Sequence, residues 1–578
     1  MSRWPAITLA FLITLPYCTA SSVPTAFNPQ QNVTYHGLLV DGVEKFLNIP
    51  YGRDTSGGRR FSPPEPYVFP LNVSTYNAST YGPVCPQASS NLSIAPGQEI
   101  GCQLWYEYME VSDHAERLHL GILIDFVGSL YIGNINDPRH EPEGLIQQSV
   151  KNGMPVIFVA MNYRLNIFGF AVSEALKENN SLNVGFRDQR LALEWVQENI
   201  ELFGGDPDQV TIFGYSSGGF SVGMQILAYG GTRPIPFHAG IMESTALEPL
   251  SASNASITTY NEVAKLTGCD TFGNPQSNET LACLRALPFE ALLNFTIAQY
   301  TSALGSSGIY SPVVDGDFLP LTSSELVRQG LFPKIPVIIG WTEDDLTLST
   351  PETIQKPSDT LDFIQSGFGG LTNDSVRIIL SLYPSADFSA NPSANLSSEF
   401  YRTAQIFRDI FITCPSLYLG DAMAIKYTAD DEVPQVYYYI QNQTILSGYF
   451  SNVGFPGRGV SHSSDLPYVF ANFGAYNVTG DIHPTKGDIE LQKLESRSWS
   501  SFASSGRPSL DGKETLEDWK PGYGAGNAST RSVYVIGGPN SGLTSLEGEG
   551  ATAAVARQRL VERCAFLNSP DTVKQLQY

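Results

Sequence analysis

Residues 210–220 are Val210-Thr211-Ile212-Phe213-Gly214-Tyr215-Ser216-Ser217-Gly218-Gly219-Phe220. The first four are apolar or β-branched and predict a short buried strand. From Gly219 to Tyr229 the apolar residues recur at helical intervals. A Gly-x-Ser-x-Gly turn between a strand and a helix holds its serine in a strained conformation, with the hydroxyl projecting from the sheet edge. This context predicts a nucleophilic Ser216, and the alternative is a glycine-rich structural turn.

A nucleophilic serine needs a base, and on a strand–turn–helix scaffold the partners follow in the order serine, acid, histidine. The chain has seven histidines. Only His462 and His483 lie far beyond the serine, with room for an acid in between. His483 stands before Pro484 in a turn-like segment and is expected on a surface loop. His462 precedes an apolar segment, so chain order favours it as the base.

The acid is less well determined, because carboxylates are plentiful between the serine and His462. Residues 336–340 predict a buried strand, and Glu343, Asp344 and Asp345 lie just past its carboxyl end, after Trp341 and Thr342. Catalytic groups in open α/β sheets lie outside the carboxyl ends of the strands. Spacing alone leaves Asp344 and Asp345 open, with an acidic surface loop as the alternative.

The composition agrees with a large globular enzyme. The chain has 578 residues, of which 42% are hydrophobic and 16% charged, and no linker or repeat divides it. Strand and helix patterns alternate from about residue 120 onward, which is typical of a mostly parallel sheet covered by helices. Core strands are predicted at 120–124, 156–162, 210–213, 241–244, 337–340 and 436–439, with an N-terminal hairpin of 33–39 and 44–47. Helices are predicted at 187–203, 490–502 and 552–568.

Further motifs lie along most of the chain. They are Phe46-Leu47-Asn48-Ile49-Pro50-Tyr51-Gly52, Arg60-Phe61-Ser62-Pro63-Pro64, Asn162-Tyr163-Arg164-Leu165, Gly185-Phe186-Arg187-Asp188-Gln189, Trp195-Val196-Gln197-Glu198-Asn199-Ile200, Phe203-Gly204-Gly205-Asp206-Pro207 and Pro312-Val313-Val314-Asp315-Gly316. With these motifs the chain resembles the type-B carboxylesterase and lipase family, relatives of the cholinesterases in the α/β-hydrolase superfamily, and its secreted fungal members in particular. The resemblance implies an α/β-hydrolase fold with a large, mostly parallel central sheet and helices on both faces.

The resemblance also implies a catalytic triad of Ser216, Asp345 and His462. The family's acid is the last carboxylate of an Asp-Glu-Gly or Asp-Asp-Gly motif, which here is Asp345, with Leu346 in place of the glycine. The family's histidine lies in a Gly-x-x-His motif that matches Gly459 to His462. Such a triad cleaves carboxylic esters through an acyl-enzyme and needs neither a metal nor a cofactor.

Backbone N–H groups must stabilise the oxyanion of the tetrahedral intermediate. The residue after the nucleophile, Ser217, supplies one of them. The resemblance implies two more, from Gly128 and Ser129, in a loop that is glycine-rich in the family. Here that loop has Val127 where the family has a further glycine.

The N-terminus indicates secretion. Arg3, an apolar run at 6–15 and Cys18-Thr19-Ala20 are typical of a signal peptide, here residues 1–20, followed by a single catalytic domain at 21–578. The run is too short to span a bilayer, and no transmembrane anchor is expected. Thirteen Asn-x-Ser/Thr sequons, among them Asn32, Asn72, Asn254, Asn395 and Asn527, are typical of a secreted glycoprotein.

Removal of the signal peptide leaves six cysteines, which allow 15 pairings. The resemblance implies three disulfides, which are Cys85–Cys102, Cys269–Cys283 and Cys414–Cys564.

The formal net charge of −23 argues against a nucleic-acid partner or an anionic membrane surface. The expected partner is a small-molecule or lipid ester. A catalytically weak or inactive family member with a binding role is one alternative, which Val127 favours. An interfacial lipase is the other, although the first disulfide loop, residues 86–101, is short and mostly polar. Such a loop favours soluble or medium-chain esters.

Overall fold

The computed structural model describes residues 23–87, 105–112, 120–125, 130–249, 254–302, 309–478, 480, 482–524 and 531–578. The predicted signal peptide, Cys102, the 126–129 loop with its expected oxyanion donors, and most of the 86–101 loop lie outside the described residues.

Fifteen strands lie in the described part of the chain. They are β1 Thr25–Asn28, β2 Val33–His36, β3 Leu38–Val40, β4 Val43–Lys45, β5 Ile49–Pro50, β6 Thr75–Asn77, β7 Trp105–Ser112, β8 Leu120–Asp125, β9 Val156–Met161, β10 Gly205–Tyr215, β11 Ala239–Glu243, β12 Val337–Thr342, β13 Val436–Gln441, β14 Ser532–Ile536 and β15 Gly542–Ser545.

The strands form two sheets. In the large sheet the order is β15-β14-β13-β12-β11-β10-β8-β9-β7-β4-β3, with β5 paired to β7. Seven neighbouring strands are mutually parallel, namely β9, β8, β10, β11, β12, β13 and β14 in sheet order. The strands on either side of this group pair antiparallel. The small sheet consists of β1, β2 and β6. The prediction of a mostly parallel central sheet is confirmed.

Twenty α-helices connect and cover the strands within the described residues. They are α1 Glu143–Lys151, α2 Asn166–Phe170, α3 Glu174–Glu178, α4 Val184–Asn199, α5 Ser217–Leu227, α6 Ala255–Leu266, α7 Asn278–Ala286, α8 Phe289–Ser302, α9 Ser323–Arg328, α10 Pro357–Gly367, α11 Asn373–Leu382, α12 Ser398–Arg408, α13 Cys414–Thr428, α14 Ser447–Asn452, α15 Leu466–Val469, α16 Phe473–Tyr476, α17 Lys486–Ser505, α18 Ala553–Ala556, α19 Leu560–Leu567 and α20 Pro570–Leu576.

The central strands are buried on both faces. Along β12, Val337 and Ile339 belong to one hydrophobic cluster and Ile338 to a second. Side chains alternate between the two faces of a strand, so these two clusters lie on opposite faces of the sheet. This packing explains why the core strands have continuous apolar runs, which made them visible in the sequence.

Two predicted elements are wrong in part. The segment 33–39 is not one strand, because β2 joins the small sheet and the hairpin around Asp41-Gly42 is formed by β3 and β4. The segment 552–568 is not one helix, because Arg559 has a φ of 49° and separates α18 from α19. A left-handed residue cannot continue a right-handed helix.

Two of the three expected disulfides are present. Cys269 is bonded to Cys283, and Cys414, at the start of α13, is bonded to Cys564 in α19. The partner expected for Cys85 is among the residues that are not described. In the described part of the chain no single helix is long and apolar enough to cross a membrane; only the bent pair Asn278–Ala286 and Phe289–Ala298, at 106°, reaches that length and composition together.

Candidate active site

Ser216 lies at the sharp turn between β10 and α5. Its φ and ψ are 58° and −127°, a conformation that is rare for a residue with a side chain. Gly214 makes the turn possible, since a Cβ there would overlap the backbone of Gly218. Gly219 lets α5 approach the end of β11, because a Cβ at this position would lie 2.5 Å from the carbonyl oxygen of Thr245. The expected strand–turn–helix geometry is therefore present around the serine.

Ser217 is the first residue of α5. The first backbone N–H groups of a helix have no intrahelical acceptor and carry partial positive charge. Ser216 itself is held against the sheet, because its N–H donates to the carbonyl oxygen of Glu243 at 2.8 Å. The Ser217 N–H therefore belongs to a helix end that favours a negative charge beside the Ser216 hydroxyl.

His462 contacts both other members of the expected triad. Its Nε2 lies 2.9 Å from Oγ of Ser216, and its Nδ1 is hydrogen-bonded to Oδ1 of Asp345. The carboxylate can only accept, so this arrangement places the imidazole proton on Nδ1 and leaves Nε2 to accept from the serine hydroxyl. The imidazole is 22% exposed and the carboxylate fully buried, so the imidazole is accessible from outside and the carboxylate is not.

Asp345 follows β12 by three residues and is held from two sides. Its Oδ2 accepts the backbone N–H of Thr342 at 3.0 Å. Its carbonyl oxygen accepts the backbone N–H of His462 at 3.0 Å. The carboxylate and the imidazole are thus fixed relative to each other through both side chains and backbone.

Asp344, the other candidate from the spacing, does not contact the imidazole. Its Oδ2 accepts the backbone N–H of Val460 at 3.0 Å, and burial raises the pKa of its carboxyl. Gly459 has a φ of 66° and is packed so closely that a Cβ would overlap this carboxylate. Asp344 therefore holds the loop that carries His462. The second candidate base, His483, is exposed in a loop, as the sequence predicts.

A second buried carboxyl lies near the imidazole. Asp465 caps α15, where its Oδ1 accepts the Leu466 N–H at 3.1 Å and its Oδ2 accepts from the Tyr439 hydroxyl at 2.8 Å. Burial raises the pKa of the Asp465 carboxyl to about 6, with a further contribution from the charge of Asp345. The sequence reasoning missed this residue, although it follows His462 by only three positions.

Tyr215, directly before the nucleophile, also contacts the histidine loop. Its ring centroid lies 4.7 Å from that of His462, with an angle of 43° between the planes. Its hydroxyl is hydrogen-bonded to Oγ of Ser463. Burial raises the pKa of the Tyr215 phenol well above its usual value, so this side chain is neutral at physiological pH. This contact was also missed by the sequence reasoning.

The strand that leads to the expected oxyanion loop reaches the same edge of the sheet. β8 lies beside β10, and its last residue, Asp125, is paired with Phe213, three residues before Ser216. The roles expected of Gly128 and Ser129 concern residues outside the described ones and stay predictions. Within the described residues no group of three metal-ligating side chains is suited to hold a metal ion.

This parallel sheet, with its serine turn at the carboxyl edge, defines an α/β-hydrolase. The model of the carboxylesterase family matches residues 31–546. A secreted lipase of Arthroderma benhamiae is 40% identical over 584 residues, which cover 100% of both chains. An inactive carboxylesterase-like protein of Byssochlamys spectabilis is 35% identical over 525 residues, 87% of each chain. The crystal structure of Aspergillus niger EstA has the same fold, with a TM-score of 0.76 at 23% identity over 94% of this chain and 97% of that one.

The chain belongs to the carboxylesterase family, and it is a carboxylic ester hydrolase. The resemblance stated from the sequence motifs is confirmed.

Proposed function

We propose that this protein is a secreted serine hydrolase that cleaves carboxylic esters through an acyl-enzyme, with Ser216 as nucleophile, His462 as general base and acid, and Asp345 as the residue that orients the imidazole. The observation that carries the proposal is the continuous hydrogen-bond chain from Oγ of Ser216 through His462 to Asp345. These three side chains come from distant parts of the sequence, and a purely structural role does not require this order of contacts.

In the proposed reaction Oγ of Ser216 attacks the ester carbonyl carbon while its proton passes to Nε2 of His462. The tetrahedral intermediate collapses, the bond to the alcohol oxygen breaks, and the imidazolium returns its proton to the leaving alkoxide. Water then attacks the acyl carbon while His462 takes its proton, the bond to Oγ breaks, and the imidazolium returns the proton to Ser216 as the carboxylic acid leaves. The Asp345 carboxylate stabilises the imidazolium in both halves of the reaction.

The oxyanion of each tetrahedral intermediate would accept hydrogen bonds from the N–H groups of Ser217, Gly128 and Ser129. The position of Ser217 at the start of α5 supports its part in this role. Loss of one such donor typically lowers kcat by about 10²–10³-fold, so the donors are expected to contribute substantially to the rate.

Secretion and a soluble substrate are part of the proposal. The N-terminal 20 residues have the pattern of a signal peptide, and the Arthroderma benhamiae relative is named as secreted. That relative is also named a lipase, so a lipid ester is one possible substrate class. The short polar segment 86–101 favours soluble or medium-chain esters over emulsified triglyceride. We retain a single catalytic domain over residues 21–578 as a further proposal.

A catalytically inactive member is the second candidate. It is favoured by Val127 in the expected oxyanion loop and by the 35% identical relative that is named inactive. Against it stands the complete set of Ser216, His462 and Asp345 in hydrogen-bond contact.

The test is hydrolysis of a series of p-nitrophenyl esters of increasing acyl length by the purified protein, together with labelling by an organophosphonate. We expect turnover of short and medium acyl chains and one covalent adduct, located on Ser216 by mass spectrometry. Ser216→Ala and His462→Ala should abolish hydrolysis, whereas His483→Ala, at an exposed histidine, should leave it unchanged. A folded sample without an adduct, or with the label on another serine, would contradict the proposal.

A further inference from the structure

Tyr215 joins the nucleophile turn to the loop that carries the base. It is the last residue of β10, and Ser216 follows it directly. Its hydroxyl is hydrogen-bonded to Ser463, the residue directly after His462. Ser463 has a φ of 73°, in the left-handed region that favours glycine, so the local backbone is held in a conformation that it would not adopt alone. The Tyr215 side chain thus links the backbone beside Ser216 to the backbone beside His462, the two residues between which the proposed proton transfer takes place.

The ring of Tyr215 also lies against the imidazole. The centroid separation of 4.7 Å falls within the range in which an aromatic face attracts a cation. In the proposed mechanism the imidazole becomes positively charged only during the reaction. An attraction that exists only in the charged state stabilises the transition state more than the ground state. Because burial keeps the phenol neutral, the ring adds no negative charge to a site that already contains Asp345 and Asp465.

We propose that Tyr215 is a positioning residue for His462, which fixes the imidazole through Ser463 and stabilises the imidazolium through its ring. This inference rests on the proposed function, because it presupposes that His462 exchanges a proton with Ser216. It assigns two separable tasks, one to the hydroxyl and one to the aromatic face.

The hydroxyl is tested by Tyr215→Phe, Ser463→Ala and the double variant. We expect each single change to lower kcat about fivefold, the equivalent of one neutral hydrogen bond, with KM within about twofold of the wild type. The double variant should lose no more than either single variant, since both remove the same contact. Tyr437→Phe is the matched control. Tyr437 is a buried tyrosine near the amino end of β13, and its hydroxyl donates a hydrogen bond to Oε1 of Gln435.

The ring is tested by Tyr215→Leu, which keeps an apolar side chain without an aromatic face. We expect a lower kcat than in Tyr215→Phe. The acid limb of the kcat/KM profile should also move to lower pH by about half a unit, because the imidazolium loses its stabilising face. Tyr215→Phe should keep the wild-type midpoint. A structural role would lower the thermal midpoint without moving this limb.

Three results would overturn the inference. The first is a wild-type kcat in both Tyr215→Phe and Ser463→Ala. The second is a double variant whose loss of kcat equals the product of the two single losses. The third is an acid limb of the kcat/KM profile that does not move in Tyr215→Leu. The Phe and Ala variants test the hydroxyl even if Tyr215→Leu does not fold. If instead the wild type itself neither hydrolyses esters nor reacts with an organophosphonate at Ser216, the proposed function has failed, which is distinguishable because no variant is involved.

Discussion

The Oδ2 atom of Asp344 accepts the backbone N–H of Val460 at 3.0 Å, and the backbone N–H of Asp344 donates to the carbonyl oxygen of Val460, also at 3.0 Å. The next residue along, Asp345, accepts the backbone N–H of His462. The two adjacent carboxylates therefore make different contacts. Asp344 fixes the loop that carries His462. Asp345 is hydrogen-bonded to the imidazole itself and, in the proposed mechanism, orients it.

This division predicts different results at the two positions. Asp345→Asn should lower kcat by about 10⁴-fold with little loss of stability, because the amide favours the wrong imidazole tautomer. Asp344→Ala should lower the free energy of unfolding by about 1–3 kcal/mol, since it leaves the Val460 N–H without its acceptor. Asp344→Asn should restore most of that loss, because its amide oxygen can accept the same bond. Kinetics and denaturant unfolding of the three variants test this, and an equal loss of kcat in Asp344→Asn and Asp345→Asn would contradict it.

Gly459 offers a second test of the same loop. It combines a φ of 66° with close packing on the Asp344 carboxylate, so Gly459→Ala must displace either the loop or the carboxylate. We expect kcat to fall by about 10–100-fold, as is typical when a catalytic group moves by about an ångström. Gly454→Ala is the control, because Gly454 also has a positive φ, 96°, but open space around its Cβ position. An equally large fall in kcat in Gly454→Ala would show that backbone strain, and not the contact with Asp344, causes the effect.

The serine turn and the core strands could be predicted because their signals are local. A continuous apolar run and a Gly-x-Ser-x-Gly turn depend on neighbouring residues only. The distinction between Asp344 and Asp345 could not be made from spacing, because it depends on a loop 117 residues further along the chain. The contact between Tyr215 and Ser463 spans 248 residues and has no local signal at all. Arg559 ended a predicted helix through a left-handed conformation that its residue type does not favour.

The buried carboxyl of Asp465 predicts a pH-dependent stability. In an unfolded chain the pKa of an aspartate is ~3.9, whereas burial raises the pKa of Asp465 to about 6. The folded state therefore holds this proton more tightly, so this residue's contribution to stability is present below about pH 4 and is lost as pH rises to about 6. The asparagine side chain in Asp465→Asn does not titrate in this pH range.

The stability of Asp465→Asn relative to the wild type should therefore rise between about pH 4 and 6, by up to ~3 kcal/mol, and stay constant above that range. Urea unfolding at several pH values measures the difference. Asp511→Asn, at an exposed aspartate, serves as the control. A constant difference between Asp465→Asn and the wild type from pH 4 to 7 would contradict the prediction.

The two described disulfides should contribute unequally. Cys414–Cys564 closes 150 residues of chain, and Cys269–Cys283 closes 14. A longer closed loop removes more conformational entropy from the unfolded state, which in the chain-entropy model favours Cys414–Cys564 by about 2 kcal/mol. The double Cys→Ser variant of the long pair should therefore have the lower Tm by calorimetry. The reverse order would show that the local packing of α7 outweighs the entropy of the unfolded chain.

Val127 offers a test of the expected oxyanion hole. The expected donors, Gly128 and Ser129, directly follow it, and the family has glycine at this position because glycine tolerates backbone conformations that are closed to other residues. Valine is β-branched and resists a positive φ, so it would either strain the loop or misdirect a donor. In that case Val127→Gly should raise kcat by about 10²–10³-fold, with little change in KM, because the donors act only on the developing oxyanion.

Val127→Ala is the matched control, since it removes bulk but not the restriction on φ, and it should gain little. Both variants are compared with the wild type on one p-nitrophenyl ester. An unchanged or lower kcat in Val127→Gly would mean that the native loop already forms the hole and that the valine is compatible with an active enzyme.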